Sequence, residues 1–201
     1  IEARLVLDDV ERIDKENSFV ECSSGRKLFF DAISVNVGSN SIPPIYGLNK
    51  YGVSVRPLVK FEEKWREFIQ KSVGSKKIAK ITLIGGGIAS AELAFSMKIA
   101  LNKTGCSNSK IVIIEMDKVL KDLTTSQRNF VRKKLASENV EIREFSPVKK
   151  VFTNSVLLED GSRILSDFTV SCVGALPNPL SINSGLENNK GFFSVDKTLK
   201  M

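Results

Sequence analysis

The sequence predicts an α/β fold in which a parallel sheet carries helices on one face and an antiparallel β-meander on the other. Three observations predict it. Short apolar runs alternate with helical segments between residues 80 and 145. A glycine-rich turn joins the first of these runs to a helix. A meander pattern follows, and a similar meander occurs near the start of the chain.

The middle of the chain alternates predicted strands and helices. Apolar runs at 80–84 and 111–115 are typical of buried strands, and residues 140–145 supply a third strand. Residues 88–101 form the helix between the first two strands. Residues 124–137 form the next helix, which a Thr or Ser caps. This order predicts a parallel sheet.

Two segments, which begin at Val10 and Val148, resemble each other and predict the same three-strand meander followed by a buried strand. The apolar runs AISVNVG and FTVSCVG are typical of central strands that end at a glycine. The predicted strands and helices at 80–145 precede the second copy, and no such segment precedes the first copy. We therefore expect the chain to be an internal piece of a longer protein. Three pairs of landmarks share one spacing of 136 residues: Gly25 with Gly161, Asp31 with Asp167, and Gly38 with Gly174.

Composition excludes several classes of function. The chain has no histidine, which excludes Ser-His-Asp and Cys-His nucleophiles and most zinc sites. The net charge of +7 comes from basic residues in short pairs and triplets, which is typical of a solvated surface and predicts no nucleic-acid partner. Cys22, Cys106 and Cys172 are too far apart in sequence for a CxxC pair, and their odd number indicates a reducing compartment. No apolar stretch approaches the roughly 20 residues of a membrane helix, so we expect a cytoplasmic protein, with peripheral membrane attachment left open.

The segment between the two copies predicts a linker followed by a connecting helix. Leu58, Phe61, Trp65 and Phe68 share one face of that helix. Trp65 could stack on a cofactor, but packing in the core is the favoured interpretation.

The turn Gly85-Gly86-Gly87 carries the clearest chemical signal. It follows the apolar run ITLI and opens a helix, which is the context of a dinucleotide-binding fingerprint. Gly85 permits the tight turn, Gly87 lets a pyrophosphate approach the backbone, and Ser90 stands where Gly or Ala lets the helix lie against the strand. The first amides of the helix and its dipole neutralise the phosphates. We therefore expect cofactor contacts from Gly85, Gly86, Gly87, Ile88, Ala89 and Ser90.

Two acidic residues flank this turn in the expected fold. Glu115 stands at the tip of the second strand, where a carboxylate accepts both hydroxyls of an adenosine ribose and repels a 2′-phosphate. The sequence therefore predicts NADH over NADPH. Glu92, early in the helix, is either a helix-terminus charge or a contact near the nicotinamide. Val173 and Gly174 are expected to close on the nicotinamide half. Under the alternative interpretation, the unit is retained only for folding and the three glycines form an ordinary turn.

These residues resemble the pyridine nucleotide-disulfide oxidoreductase superfamily, whose members bind two dinucleotides. The family motif GGGxxGxELA reads GGGIASAELA here, and the family's dG..l.yD.L..atGs.p reads SSGRKLFFDAISVNVGSNSIPPIYG. Asn36-Val37-Gly38 replaces the family's A-T-G. With this replacement and the segment GVSVRPLVKFEEKWREFI, the chain is most similar to the branch of type II NADH dehydrogenases, including modules fused to selenophosphate synthetase. The absence of CxxC and CxxxxC disfavours a thioredoxin reductase.

The resemblance implies a flavoprotein that binds NADH, passes hydride to FAD and then passes electrons to an acceptor such as a quinone. It implies a partial FAD-binding domain at 1–57, a connecting helix and linker at 58–77, and a Rossmann-like NAD(H)-binding domain at 78–179. Residues 180–201 resemble the return segment to the FAD domain. FAD is implied for the full-length protein, near Val37 and Gly38, and this segment alone is expected neither to hold FAD nor to be active.

No catalytic side chain and no metal ligand is expected, because the cofactors carry the chemistry. Two alternatives stay open: a regulatory module that senses NAD without redox chemistry, and a cofactor-free scaffold. The electron acceptor and the oligomeric state, including a homodimer, also stay open.

Overall fold

The structure is a computed structural model, and it describes residues 3–39, 43–75 and 77–201. The strands are β1 Val10–Asp14, β2 Phe19–Cys22, β3 Lys27–Phe29, β4 Val53–Ser54, β5 Lys80–Ile84, β6 Lys110–Ile114, β7 Val140–Arg143, β8 Val148–Phe152, β9 Ser155–Leu158, β10 Arg163–Leu165, β11 Phe168–Ser171, β12 Asn188–Asn189 and β13 Phe192–Phe193. The helices are α1 Leu48–Tyr51, α2 Leu58–Ser72, α3 Ile88–Lys103, α4 Thr125–Ser137 and α5 Leu180–Asn183.

The chain divides into two compact units. Unit 1 consists of Ile1–Asn40 and Leu176–Met201, and unit 2 consists of Ser41–Ala175. Residues 1, 2 and 40–42 of the expected partial FAD-binding domain, and residue 76 of the expected connecting segment, lie outside the described residues.

Unit 2 is built on a five-stranded parallel sheet with the order β4-β11-β5-β6-β7. The strand predicted at 80–84 is confirmed, and the one predicted at 111–115 is shifted by one residue to Lys110–Ile114. These two strands pair in register from their first to their last residue. Because all five strands are parallel, the loops that follow them meet at one edge of the sheet.

Alternation along β5 and β6 separates two cores. Ile81, Leu83, Ile111 and Ile113 pack against α2, α3 and α4 in the largest core. Val112 and Ile114 point to the other face and contact the meander of β8, β9 and β10 through Val156 and Leu158. The α/β fold with helices on one face of the parallel sheet and a meander on the other is therefore confirmed.

Helix α4 begins at the capping residue that the sequence predicts. Thr124 caps α4 in a full capping box with Gln127, as the sequence indicates. In α2, Phe61 is buried, and the ring of Trp65 lies 5.6 Å from the rings of Phe68 and Phe168. The packing interpretation of Trp65 is confirmed, whereas Leu58 on the same face is exposed.

The internal repeat is confirmed in three dimensions. Strands β1 to β3 and β8 to β10 form two antiparallel meanders, each with an irregular register near the start of its first strand. The second and third strands begin 136 residues apart and share their patterns of burial. Gly25 and Gly161 occupy the same left-handed turn, with φ of 80° and 85°.

One predicted strand is absent. The run FTVSCVG forms β11, which pairs with β4 and β5, but the corresponding run AISVNVG at 32–38 forms no strand in the described chain. Its apolar residues Ile33, Val35 and Val37 are exposed. An apolar run becomes a central strand only when neighbouring strands accept its backbone hydrogen bonds, and unit 1 offers no parallel partner among its described residues. Unit 1 instead packs its meander against α5, with Ile13, Val20 and Leu180 in its core.

Candidate functional site

The first glycine of the turn stands where only glycine fits. Gly85 follows β5 with φ of 106°, a region that side chains with a Cβ rarely adopt. A Cβ on Gly85 would lie 3.0 Å from the carbonyl carbon and oxygen of Cys172, after β11. The amide of Gly85 donates to the carbonyl of Ile114 in β6 at 2.8 Å. This residue therefore joins three strand ends at the carboxyl edge of the sheet.

The second glycine connects the turn to Glu115. The Gly86 amide donates to Glu115 Oε2 at 2.5 Å, and the Gly86 carbonyl accepts from the Leu120 amide at 2.7 Å. A Cβ on Gly86 would lie 2.7 Å from Glu115 Cβ and 2.8 Å from Val119 Cγ2. The turn and the loop after β6 thus pack directly together, without room for a side chain between them.

The third glycine faces open space. Gly87 is exposed and is the N-cap of α3, and a Cβ added to it would meet no atom within 4 Å. Gly87 brings no side-chain cap, so the first amides of α3 remain available to an anion, because no turn precedes them to accept their hydrogen bonds. Ile88 and Ala89 are exposed beside them. This opening is a cradle of backbone donors that any larger side chain would fill.

Ser90 takes the place of the third fingerprint glycine without disturbing the packing. It is fully buried, and its hydroxyl donates to the Gly87 carbonyl at 2.7 Å. A buried hydroxyl that keeps a partner costs little. The serine therefore allows the close approach of helix and strand that glycine or alanine allows elsewhere.

The Glu115 carboxylate is half-buried, and backbone amides fix its position. One oxygen accepts from Gly86, and the other accepts from the Asp117 amide at 3.0 Å. An ionised carboxylate can accept about four hydrogen bonds. Two amides therefore orient this group and leave capacity for two hydroxyls of a ligand.

The last strand brings Val173 and Gly174 to the same edge of the sheet. The Cys172 amide donates to the Ile84 carbonyl at 2.7 Å, beside the turn. Val173 packs against Ile84, and Gly174 is exposed, with no atom within 4 Å of a Cβ added to it. Burial raises the pKa of the Cys172 thiol to about 12, so this thiol stays protonated at neutral pH.

Three of the residues expected from the sequence belong to other parts of the chain. Glu92 lies in the second turn of α3, exposed to solvent. Val37 and Gly38 belong to unit 1, where both are exposed and Gly38 has φ of 66°. Unit 2 thus brings together the turn at 85–90, Glu115 and the pair Val173 and Gly174.

Sequence reasoning missed the side chains that hold the loop after β6. Arg128 in α4 donates to the carbonyls of Leu120, Lys121 and Leu123 at 3.1 to 3.2 Å. An arginine near a helix start is an ordinary surface residue in a sequence pattern, and only the fold shows its three acceptors. Arg128 therefore fixes the shape of the loop that contacts Gly86.

Glu144, after β7, holds the same loop. One of its oxygens accepts from the Val119 amide at 2.9 Å and from Arg132 Nη1 at 2.7 Å. Burial by itself raises the pKa of this carboxyl, but the Arg132 guanidinium and the Val119 amide outweigh it and hold the pKa below its ordinary value. Glu144 is therefore an anion that anchors Val119 against Gly86.

Residues 3–39, 43–75 and 77–201 hold neither a cluster of metal ligands nor a membrane-spanning helix. No group of three or more His, Cys, Asp or Glu side chains could hold a metal ion there. No helix in these ranges has the length and apolar character needed to cross a membrane.

One known protein family matches almost the whole chain. The family model described as pyridine nucleotide-disulphide oxidoreductase matches residues 2–201. The chain belongs to this family. The family expected from the sequence is confirmed, and the family's description names the pyridine nucleotide that the turn at 85–90 predicts.

Solved structures show the same fold. The NAD-dependent persulfide reductase from A. fulgidus has a TM-score of 0.79 and 22% identity over 96% of this chain and 36% of that chain. NDH2 from Plasmodium falciparum in complex with NADH has a TM-score of 0.76 and 17% identity over 89% and 42%. The covalent putidaredoxin reductase-putidaredoxin complex has a TM-score of 0.71 and 24% identity over 90% and 44%. At these identities the likeness shows the fold alone, and the chain spans less than half of the length of each neighbour.

Proposed function

We propose that unit 2 binds NADH across the turn at 85–90 and that the full-length protein is a flavin-dependent NADH oxidoreductase. The observation that carries the proposal is the opening at Gly87 beside the fixed carboxylate of Glu115. Backbone amides of α3 serve the diphosphate, and the acid serves the adenosine ribose. The α3 amides and the Glu115 carboxylate together match the diphosphate and the ribose of the adenosine half of a dinucleotide.

The residues have separate roles in this proposal. Gly85 sets the direction of the chain, and Gly87, Ile88, Ala89 and Ser90 present amides to the diphosphate. Glu115 accepts the two ribose hydroxyls with the oxygen lone pairs that Gly86 and Asp117 leave open. Val173 and Gly174 line the nicotinamide half, and Glu92, exposed in the second turn of α3, is a contact near the nicotinamide. When bound, the nicotinamide supplies hydride chemistry, and the protein positions and shields it.

The domain organisation of the proposed full-length protein follows from the repeat. We assign residues 1–57 to a partial FAD-binding domain, 58–77 to a connecting helix and linker, 78–179 to the NAD(H)-binding domain, and 180–201 to a return segment. FAD would lie near Val37 and Gly38 in a longer polypeptide, and an acceptor such as a quinone would take the electrons. The neighbour solved with NADH and the neighbour in complex with a partner protein both support this class of function.

The first test concerns the choice of cofactor. The unaltered chain should bind NADH at least about tenfold more tightly than NADPH, because the 2′-phosphate of NADPH would face the Glu115 carboxylate, and tenfold corresponds to about 1.4 kcal/mol. Replacement of Glu115 by Gln should narrow this ratio, because the repelling charge is lost while one acceptor for Gly86 remains. Calorimetric titration of both dinucleotides measures the ratio.

Asp122→Asn is the matched control, since it removes a carboxylate from an exposed position in the same loop. It should leave the ratio unchanged. Equal affinity of the unaltered chain for NADH and NADPH would refute the role of Glu115. Tight NADH binding by a full-length protein that purifies without flavin would favour an NAD-sensing module over an oxidoreductase.

A further inference from the structure

A second cavity opens at the opposite edge of the parallel sheet. It has a volume of about 480 Å³ and lies at the amino ends of β5 and β6, whereas the glycine turn lies at their carboxyl ends. Five residues of strand separate the two edges, or about 15 Å. Its polar lining comes mainly from Lys80, Lys98, Ser107, Asn108, Ser109 and Lys110.

Lys98 is the unusual member of this lining. It is only 4% exposed, and its ammonium donates to the carbonyl and the hydroxyl of Ser109 at 2.6 and 3.3 Å. An ammonium has three hydrogens to donate. Among the described residues, no carboxylate lies within ion-pair distance of it. Burial lowers the pKa of Lys98, and the field of Glu138 only partly opposes this.

The neighbouring charges add to the excess of positive charge. Lys80 and Lys110 are directly paired in the register of β5 and β6, so two like charges stand side by side at the cavity mouth. Glu141 is the acid in the lining, and its carboxylate is already paired with Arg143 at 2.7 Å. Three lysines line this cavity, and an anion bound in it would offset the cost of burying the Lys98 ammonium.

We propose that this cavity binds a small phosphate-bearing anion through Lys98, Lys80 and Lys110. The lysine ammonium is a compact point charge with three rotatable donors, and lysine is a common ligand of phosphate groups in proteins. Ser107, Asn108 and Asn139 supply further donors around the same space. The site is separate from the dinucleotide turn and would let a phosphorylated small molecule stabilise unit 2 from the other edge of the sheet.

Inorganic phosphate is the probe for this site. In the unaltered chain, phosphate at about ten times its Kd should raise the unfolding temperature by about 3 °C relative to sodium chloride of equal ionic strength. Amide chemical shifts in NMR spectra should change at 107–110, which distinguishes this cavity from anion binding at 85–90. Citrate, a carboxylate probe at the same ionic strength, should bind at least about tenfold more weakly.

Lys98→Met keeps the length of the side chain and should abolish the shifts at 107–110. Lys110→Gln, at an exposed position, should weaken phosphate binding about tenfold. Lys103→Gln, on the exposed surface of the same helix, should change nothing. Three results would each overturn the proposal. The first is a set of phosphate-induced shifts confined to 85–90, and the second is phosphate binding by Lys98→Met and Lys110→Gln that equals binding by the unaltered chain. The third is tighter binding of citrate than of phosphate.

Discussion

At the scale of residues, three consecutive glycines are required for three different reasons. Gly85 needs a positive φ and has backbone against its Cα, Gly86 has the side chains of Glu115 and Val119 against it, and Gly87 has open space. A sequence motif treats the three alike. The structure separates the glycines that fold the turn from the one that leaves room for a ligand.

Alanine substitutions should therefore separate stability from binding. Gly85→Ala should lower the free energy of unfolding by about 1–3 kcal/mol, because its Cβ must enter an unfavourable φ region and press on Cys172. Gly87→Ala should change that free energy by less than about 0.5 kcal/mol and weaken NADH binding about tenfold, because its methyl group fills the opening. Urea denaturation and calorimetric titration measure the two quantities. An equal loss of stability in the two variants would contradict the open space assigned to Gly87.

Much of this site could be predicted from the sequence, because its residues follow one another in a strand, a turn and a helix. Gly85 to Ser90 and Glu115 are set by the ends of two apolar runs, and parallel pairing brings those ends together. Arg128 and Glu144 could not be predicted, because their partners are backbone groups whose position depends on the path of the loop after β6. The prediction of a strand at 32–38 was wrong, because an apolar run does not show whether a neighbouring strand is present to pair with it.

At the scale of elements, the loop between β6 and α4 is held from two sides. Arg128 holds its carbonyls from α4, and Glu144 holds the Val119 amide from the end of β7, with Arg132 as its ion-pair partner. Val119 in turn packs against Gly86. The geometry of the proposed ribose site thus depends on an ion pair that contacts no ligand.

This arrangement predicts a dependence of stability on acidity. The folded pKa of Glu144 lies below its ordinary value of 4.5, so its contribution is complete above about pH 4.5 and is lost as the pH falls through the folded pKa. Glu144→Gln should cost roughly 1 kcal/mol at pH 7. It should also lose less stability than the unaltered chain between pH 5 and pH 3, as urea denaturation would measure.

The exposed pair of Glu62 and Arg66 on α2 provides the control. Glu62→Gln should follow the acid dependence of the unaltered chain, because solvent screens that pair. An identical loss of stability on acidification in the unaltered chain and in Glu144→Gln would contradict the role assigned to this carboxylate.

At the scale of the whole molecule, the two meanders are copies of one plan that lie in different surroundings. The meander of unit 2 covers a complete parallel sheet with a glycine turn at its edge. The meander of unit 1 packs against α5 and the hairpin of β12 and β13, and the described residues of unit 1 contain no parallel sheet. The same local sequence pattern therefore covers a parallel sheet in unit 2 and leaves the apolar side chains of Ile33, Val35 and Val37 exposed in unit 1.

This asymmetry predicts which cofactor the chain retains. The 201-residue chain should purify without stoichiometric flavin, because Val37 and Gly38 are exposed in unit 1 and lie at no strand-to-helix turn there. The same preparation should bind NADH, because every element of the turn at 85–90 lies within unit 2. Absorbance near 450 nm measures the flavin, and saturation-transfer NMR measures the dinucleotide. A yellow preparation with one flavin per chain would show that unit 1 forms a cradle that its backbone does not present here, and a colourless preparation that ignores millimolar NADH would favour a scaffold without a cofactor.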